Sequence, residues 1–153
     1  MSVPTSGEAS ITIDAPVSVV YDLVTDVTRM GEWSPECVRC EWNEEPGAVG
    51  STFTGHNRRG PARWKTVARV LVADRPREFS FATLHHGEPS TRWTYHLQGD
   101  DPTTVTESFT AITAPRFILL AERFLIRNRQ DQLEQGMAAT LAALKAVAER
   151  ARD

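Results

Sequence analysis

The chain has 153 residues, of which 41% are hydrophobic and 24% charged, and its formal net charge is −3. This length and composition indicate one globular domain and exclude a disordered chain, and the negative charge disfavours a nucleic-acid-binding role. Two cysteines are too few for a disulfide framework, the first residues lack the pattern of a signal peptide, and no apolar run reaches the ~20 residues of a membrane span. We therefore expect a cytoplasmic protein.

The N-terminal part of the chain predicts one strand and two short helices. Residues 1–7 are small and polar and predict a flexible lead-in, followed by a single domain over residues 8–150. Alternating side chains from Glu8 to Asp14 predict the first strand. Pro16 suits the first position of a helix. A helical stripe follows it, formed by Val17, Val20, Val24 and Val27. Asp26 to Trp33 predicts a second short helix or turn.

From Cys37 to Ala114 the hydrophobic period is two, which predicts six more strands. Turns of hairpin length separate these strands, so the sheet should be antiparallel. After Pro115 the pattern is helical to Arg150, with an apolar stripe that includes Leu133, Met137, Leu141 and Leu144. The predicted fold is α+β, with a curved antiparallel sheet of about seven strands wrapped around a long C-terminal helix. Such a sheet leaves a space that suits a ligand.

Several landmarks of this chain resemble a known superfamily. The opening Ile13-Asp14-Ala15-Pro16, then Val20-Tyr21, and Trp33 with Pro35, are similar to the opening signature of the START-like superfamily. Its later landmarks are matched by Gly50, Phe53, Pro76, Phe79, Phe81, Trp93 and Thr104-Val105-Thr106. The superfamily includes polyketide cyclases and dehydratases, lipid-transfer domains and birch-pollen-allergen proteins. The resemblance implies a helix-grip fold around a hydrophobic cavity, and it does not select one function because one fold hosts many.

Strand parity selects the side chains that should face this cavity. The apolar parity predicts one shared space lined by Trp64, Phe81, Trp93, Tyr95, Phe109 and Met137. Glu107 has the parity of Val105 and Phe109, so its carboxyl should point inward, where it needs a partner or a raised pKa. The alternative is a Glu107 exposed at an edge or paired with an arginine.

His85 and Tyr95 share the parity of Phe81 and Trp93 on neighbouring strands. With Glu107 they would form an acid–base set for enolisation or dehydration of a carbonyl compound. The alternative is that His85 lies in water at a hairpin and Tyr95 only packs its ring.

The spacing of Cys37 and Cys40 suggests zinc or redox chemistry when it occurs on a turn. Here it falls on a predicted strand, where residues three apart point to opposite faces. We therefore predict no metal and no cofactor.

Two functions follow from these patterns, a carrier and an enzyme. The first is a binding protein for a small hydrophobic molecule such as a lipid, isoprenoid or polyketide. The second is a polyketide cyclase or dehydratase that uses Glu107, His85 and Tyr95. A third interpretation has the cavity filled by aromatic side chains in a domain that serves only as an interaction module.

The run from Phe117 to Ile126 is too apolar for one exposed helix face, which suggests a cavity lid, a homodimer contact or transient membrane docking. We expect a lid or dimer contact, because a net charge of −3 opposes approach to an anionic membrane.

Overall fold

The computed structural model describes residues 6–34, 37–112 and 126–152. Seven antiparallel strands form one sheet in the order β1-β7-β6-β5-β4-β3-β2. The strands are β1 (Ser6–Ile13), β2 (Cys37–Trp42), β3 (Thr52–Arg59), β4 (Ala62–Asp74), β5 (Glu78–His85), β6 (Glu88–Gly99) and β7 (Thr103–Ala111). The helices are α1 (Val17–Thr25), a 3-10 helix (Val27–Glu32) and α2 (Ile126–Arg152). The predicted α+β helix-grip fold is confirmed.

The two ends of the fold differ in detail from the predicted boundaries. Strand β1 begins at Ser6, two residues before the predicted Glu8, because Ser6 and Gly7 pair with the end of β7. Helix α2 extends to Arg152. The predicted helix start at Pro115 and the apolar residues 117–125 lie outside the described residues.

The core lies where the helices cover the sheet. Helix α1 buries one side because its valines recur at three and four residues, as predicted. On α2 the predicted stripe is buried at Met137, Leu141 and Leu144. Helix α2 packs mainly against β1 and α1. Burial of these side chains stabilises α1, because its β-branched residues have a low intrinsic preference for the helix.

Register shifts in three strand pairs bend the sheet and change which residues face the core. They lie between Cys37 and Arg39 on β2, between Val70 and Val72 on β4, and after Thr83 on β5. A bulge adds a residue to one strand and re-aims the side chains beyond it. The predicted period of two would put Val38 and Cys40 on one face, and the bulge makes this wrong: Val38 is 60% exposed, whereas Cys37 and Cys40 are both buried.

A close backbone approach explains why a glycine stands in the 3-10 helix. A Cβ added to Gly31 would lie 2.5 Å from the carbonyl oxygen of Val38, the second residue of β2. We expect Gly31→Ala to lower the free energy of unfolding by about 2–4 kcal/mol, measured by urea denaturation, because backbone must shift.

Helix α2 provides the matched control for this glycine substitution. A Cβ added to Gly136 would meet no described atom within 4 Å. Gly136→Ala should stabilise the protein by up to about 1 kcal/mol, because alanine favours the helix and restricts the unfolded chain. Equal effects of the two substitutions would contradict this account of Gly31.

Candidate functional site

A cavity of about 1030 Å³, open to solvent, lies between the concave side of the sheet and α2. Strands β2 to β7 and α2 all contribute side chains to its wall. Of the predicted site residues, the wall includes Trp64, Phe81, His85, Trp93, Tyr95, Glu107 and Met137. Phe109 is buried without lining the cavity, and its ring packs on Trp93 with the centroids 5.5 Å apart. The predicted face of the sheet is therefore the cavity face, with Phe109 as the exception.

Aromatic rings make much of the apolar wall. The ring of Phe53 packs edge-on against the ring of Phe81, with the centroids 5.2 Å apart. The ring of Trp42 packs against that of Phe53, with the centroids 5.3 Å apart. Phe81 is 8% exposed and Trp93 is half-buried. Phe53, Phe81 and Trp93 line the cavity without filling it. The interaction-module hypothesis required a filled cavity and is therefore not supported.

Tyr95 and Glu107 form the polar centre of the cavity. They are directly opposite each other on β6 and β7, and Phe79 on β5 is opposite Tyr95. Opposite residues on neighbouring antiparallel strands have their Cβ atoms about 4.5–5.5 Å apart. The register of the sheet therefore brings the tyrosine hydroxyl and the carboxyl together in the wall.

The Glu107 carboxyl is buried with unused hydrogen-bonding capacity. The residue is 5% exposed, and its Oε1 has no hydrogen-bond partner among the described residues. Desolvation raises the pKa of Glu107 to about 8, against the opposing effect of a hydrogen bond from the Tyr95 hydroxyl. Near neutral pH the side chain is thus a neutral acid that can donate a hydrogen bond.

The Tyr95 hydroxyl keeps its proton throughout the physiological range. Desolvation, and then the neighbouring Glu107 carboxylate, raise the pKa of Tyr95 well above its usual value. Tyr95 and Glu107 are therefore both proton-bearing groups at neutral pH. A buried ionisable group with a strongly shifted pKa in a cleft marks a candidate functional site.

His85 does not join this pair. It lies six residues along β5 from Phe79, the partner of Tyr95, which is about 20 Å of strand. Its side chain is exposed at the β5–β6 hairpin, where its ring packs against that of His86 with the centroids 4.3 Å apart. The prediction of one acid–base set with His85 in hydrogen-bond reach of Glu107 is therefore wrong, because strand length separates the two groups.

The opening of the cavity is more polar than its interior. Trp64 is 40% exposed and lies on β4 near the β3–β4 hairpin, so it is a rim residue. Arg58, Arg59 and Lys65 from the same hairpin also line the opening. The sequence favours a solvated surface over an anion clamp for the cluster of Arg58, Arg59 and Arg63, whereas Arg58 and Arg59 line the cavity.

Sequence reasoning missed several residues of the wall. Thr140 is buried on α2 three positions after Met137 and lines the cavity with it. A threonine inside an apolar helical stripe was a usable signal for this position. Cys37, Cys40 and Met30 also line the cavity. The bulge that turns Cys37 inward has no signature in the sequence.

The described residues show neither a metal cluster nor a membrane span. Within the described ranges, no three histidine, cysteine, aspartate or glutamate side chains lie close enough together to hold a metal ion. No helix of that part of the chain is both long and apolar enough to cross a bilayer. The absence of a cofactor stays a prediction.

Many solved structures resemble this fold, and three illustrate the range of sequence identity. A Polyketide_cyc-like protein from Corynebacterium glutamicum is 33% identical, with a TM-score of 0.67 over 93% of this chain and 90% of that chain. The Zhui aromatase/cyclase from Streptomyces sp. R1128 is 18% identical, with a TM-score of 0.71 over 95% of this chain and 93% of that chain. A protein from Thermus thermophilus is 17% identical, with a TM-score of 0.75 over 97% of this chain and 99% of that chain.

A comparison with curated proteins finds no match. A family match covers residues 4–149, almost the whole chain, and the family is described as polyketide cyclase/dehydrase and lipid transport. The START-like resemblance of the sequence is thereby confirmed. The chain belongs to the polyketide cyclase/dehydrase and lipid transport family.

Proposed function

We propose that this protein binds a small, largely apolar molecule that carries a carbonyl or hydroxyl oxygen, with that oxygen at Glu107. The observation that supports this most strongly is the unpartnered Oε1 of a buried carboxyl in the wall of an open cavity. An unsatisfied buried polar atom costs free energy, which a ligand oxygen would recover by accepting a hydrogen bond. The aromatic wall would hold the apolar part of the molecule.

The outer end of this ligand should be polar or anionic. Arg58, Arg59 and Lys65 line the opening, whereas the one carboxyl in the described wall, Glu107, is neutral near pH 7. Cationic groups around an apolar cleft favour an amphiphile whose charged end stays near water. An acyl chain or polyketide-like molecule with such an end fits both regions.

A second candidate function is a cyclase or dehydratase reaction at the same pair. The raised pKa of Glu107 supports it, because a neutral acid can give its proton to a leaving hydroxyl, which departs as water. The resulting carboxylate then accepts a proton from the carbon next to the substrate carbonyl, which forms the double bond and restores the acid. The family description and the aromatase/cyclase name of the Streptomyces structure agree with this chemistry.

Binding should depend on the two polar groups and on pH. We expect Glu107→Leu to weaken binding of a carbonyl-bearing apolar fluorescent probe by about 5–10-fold, the effect of one hydrogen bond. Tyr95→Phe should also weaken binding, because it removes the hydroxyl that holds the Glu107 carboxyl in place. Affinity should also fall as the pH rises above about 8, because Glu107 then loses the proton that it donates. Fluorescence titration between pH 6 and 9 measures both effects.

The chain supplies matched controls for this experiment. Its other tyrosine, Tyr21, donates to the carbonyl oxygen of Glu78 at 3.4 Å and does not line the cavity, and Glu8 is exposed on β1. Tyr21→Phe and Glu8→Gln should leave probe affinity unchanged. Equal affinity of all four variants would overturn the proposed site.

Native mass spectrometry of the freshly purified protein distinguishes the carrier from the enzyme. A carrier retains a molecule and releases it unchanged, whereas a dehydratase supplied with a β-hydroxyketone returns it with one water lost. A cytoplasmic location stays a prediction. A lid or homodimer contact in the run from Phe117 to Ile126 stays a prediction, as does transient membrane docking.

A further inference from the structure

Two cysteines of β2 face the cavity together. Cys37 pairs with Asn57 and Cys40 pairs with Gly55, and these two partners lie two residues apart on β3. Residues two apart on a strand share a face, so the bulge after Cys37 brings both thiols to the same side. Their Sγ atoms are 3.3 Å apart, and each residue is 7% exposed. The prediction that the two cysteines point to opposite faces is wrong for this reason.

The surroundings leave space for this pair and a path to it. A Cβ added to Gly55 would lie 3.4 Å from the Sγ of Cys40, so the missing side chain leaves room for that sulfur. Both cysteines line the open cavity. A small solute that enters the cavity therefore reaches the sulfur atoms without unfolding of β2.

The two thiols are not equivalent. The hydrogen bond from the Cys40 thiol lowers the pKa of Cys37 below its usual value. The same contact, and then desolvation, raise the pKa of Cys40. Cys37 is therefore the sulfur that ionises first and attacks first, since the thiolate is the nucleophile.

We propose that Cys37 and Cys40 are an oxidation site, at which a small hydroperoxide converts the dithiol into an intramolecular disulfide in the cavity wall. The Cys37 thiolate attacks one peroxide oxygen, the O–O bond breaks, and Cys37 becomes a sulfenic acid while the other oxygen leaves as water or an alcohol. The Cys40 sulfur then attacks the Cys37 sulfur, and the hydroxyl leaves as water with the proton of the Cys40 thiol. The two sulfurs together lose two electrons, which the peroxide gains.

The movement required is small. A disulfide has its sulfurs about 2.05 Å apart, so the pair must close by about 1.3 Å from its present 3.3 Å. The new bond closes only the short loop from Cys37 to Cys40, so it adds little chain-entropy stabilisation and should be readily reversed by a dithiol reductant. Because both sulfurs line the cavity, oxidation changes the wall that a ligand meets.

Thiol counting on the full-length protein tests this proposal. Reduced, desalted protein is treated with one equivalent of hydrogen peroxide, denatured in an alkylating reagent and analysed by intact mass and peptide mapping without reductant. We expect the two alkylatable thiols to disappear together, a peptide containing a Cys37–Cys40 disulfide to form, and dithiothreitol to restore both thiols. This readout needs no ligand, so it is independent of the proposed binding function.

Single substitutions assign the attacking sulfur. Cys40→Ser should trap a sulfenic acid at Cys37 that a dimedone probe labels, and Cys37→Ser should label at least about tenfold less at Cys40. Two free thiols remaining after peroxide, over-oxidation of each cysteine without a disulfide, or disulfides only between chains would overturn the proposal.

Discussion

Replacing Glu107 with glutamine should remove a pH dependence of stability between about pH 4.5 and 8. A glutamate in the unfolded chain titrates near pH 4.5, whereas burial raises the pKa of Glu107 to about 8 in the folded protein. Over that interval the folded state keeps a proton that the unfolded state has released, so the free energy of unfolding falls as the pH rises. The stability that the retained Glu107 proton contributes is fully present below pH 4.5 and lost by about pH 8. It amounts to on the order of 4 kcal/mol of the free energy of unfolding.

Urea denaturation at pH 5, 6.5 and 8 measures this effect. Glutamine stays neutral, so Glu107→Gln should be more stable than the parent protein at pH 8, and the difference should shrink toward pH 5. Hydrogen bonds and ion pairs lower the pKa values of Glu32, Glu41, Glu44 and Glu149, so these groups titrate below this interval and are common to both proteins. The exposed Glu8→Gln serves as control, and parallel pH profiles of parent and Glu107→Gln would contradict the raised pKa.

Removing the ring of Phe79 should cost about 3–5 kcal/mol of stability, whereas removing that of Phe81 should cost about 1–3 kcal/mol. The two rings lie on the same strand with centroids 5.9 Å apart. Phe79 is fully buried and does not line the cavity, so Phe79→Ala opens a new void in a packed core. Phe81 already borders empty space, so Phe81→Ala enlarges an existing cavity.

The functional effects of these two substitutions should run in the opposite order. Phe81→Ala should change the size of apolar probe that the protein binds, because the substitution removes part of the wall. Phe79→Ala, measured at a temperature where it remains folded, should bind the same probes as the parent. Urea denaturation and fluorescence titration of both variants provide the measurements. Equal losses of stability would show that Phe81 is packed on all sides, against the cavity described above.

Local sequence patterns determined the architecture of this protein. The period of two from Cys37 to Ala114 and the helical stripe at Met137, Leu141 and Leu144 predict the strands and the C-terminal helix, because burial of one face imposes these periods. Strand parity likewise predicts that Glu107 is buried beside the apolar face. These inferences are local, because each compares residues a few positions apart on one strand or helix. The two strand pairs that include β7 have no register shift, so parity holds at Glu107.

Tertiary structure alone decided which side chains meet. The bulge on β2 turns Cys37 toward Cys40, because the extra residue shifts the register against β3. Parity groups His85 with Tyr95, but only strand pairing shows that one lies at an exposed hairpin and the other opposite Glu107. The pKa of Glu107 depends on how much of the assembled wall excludes water from its carboxyl. Strand register and the desolvation of buried groups arise from contacts between distant segments. The sequence pattern of any one strand therefore does not predict them.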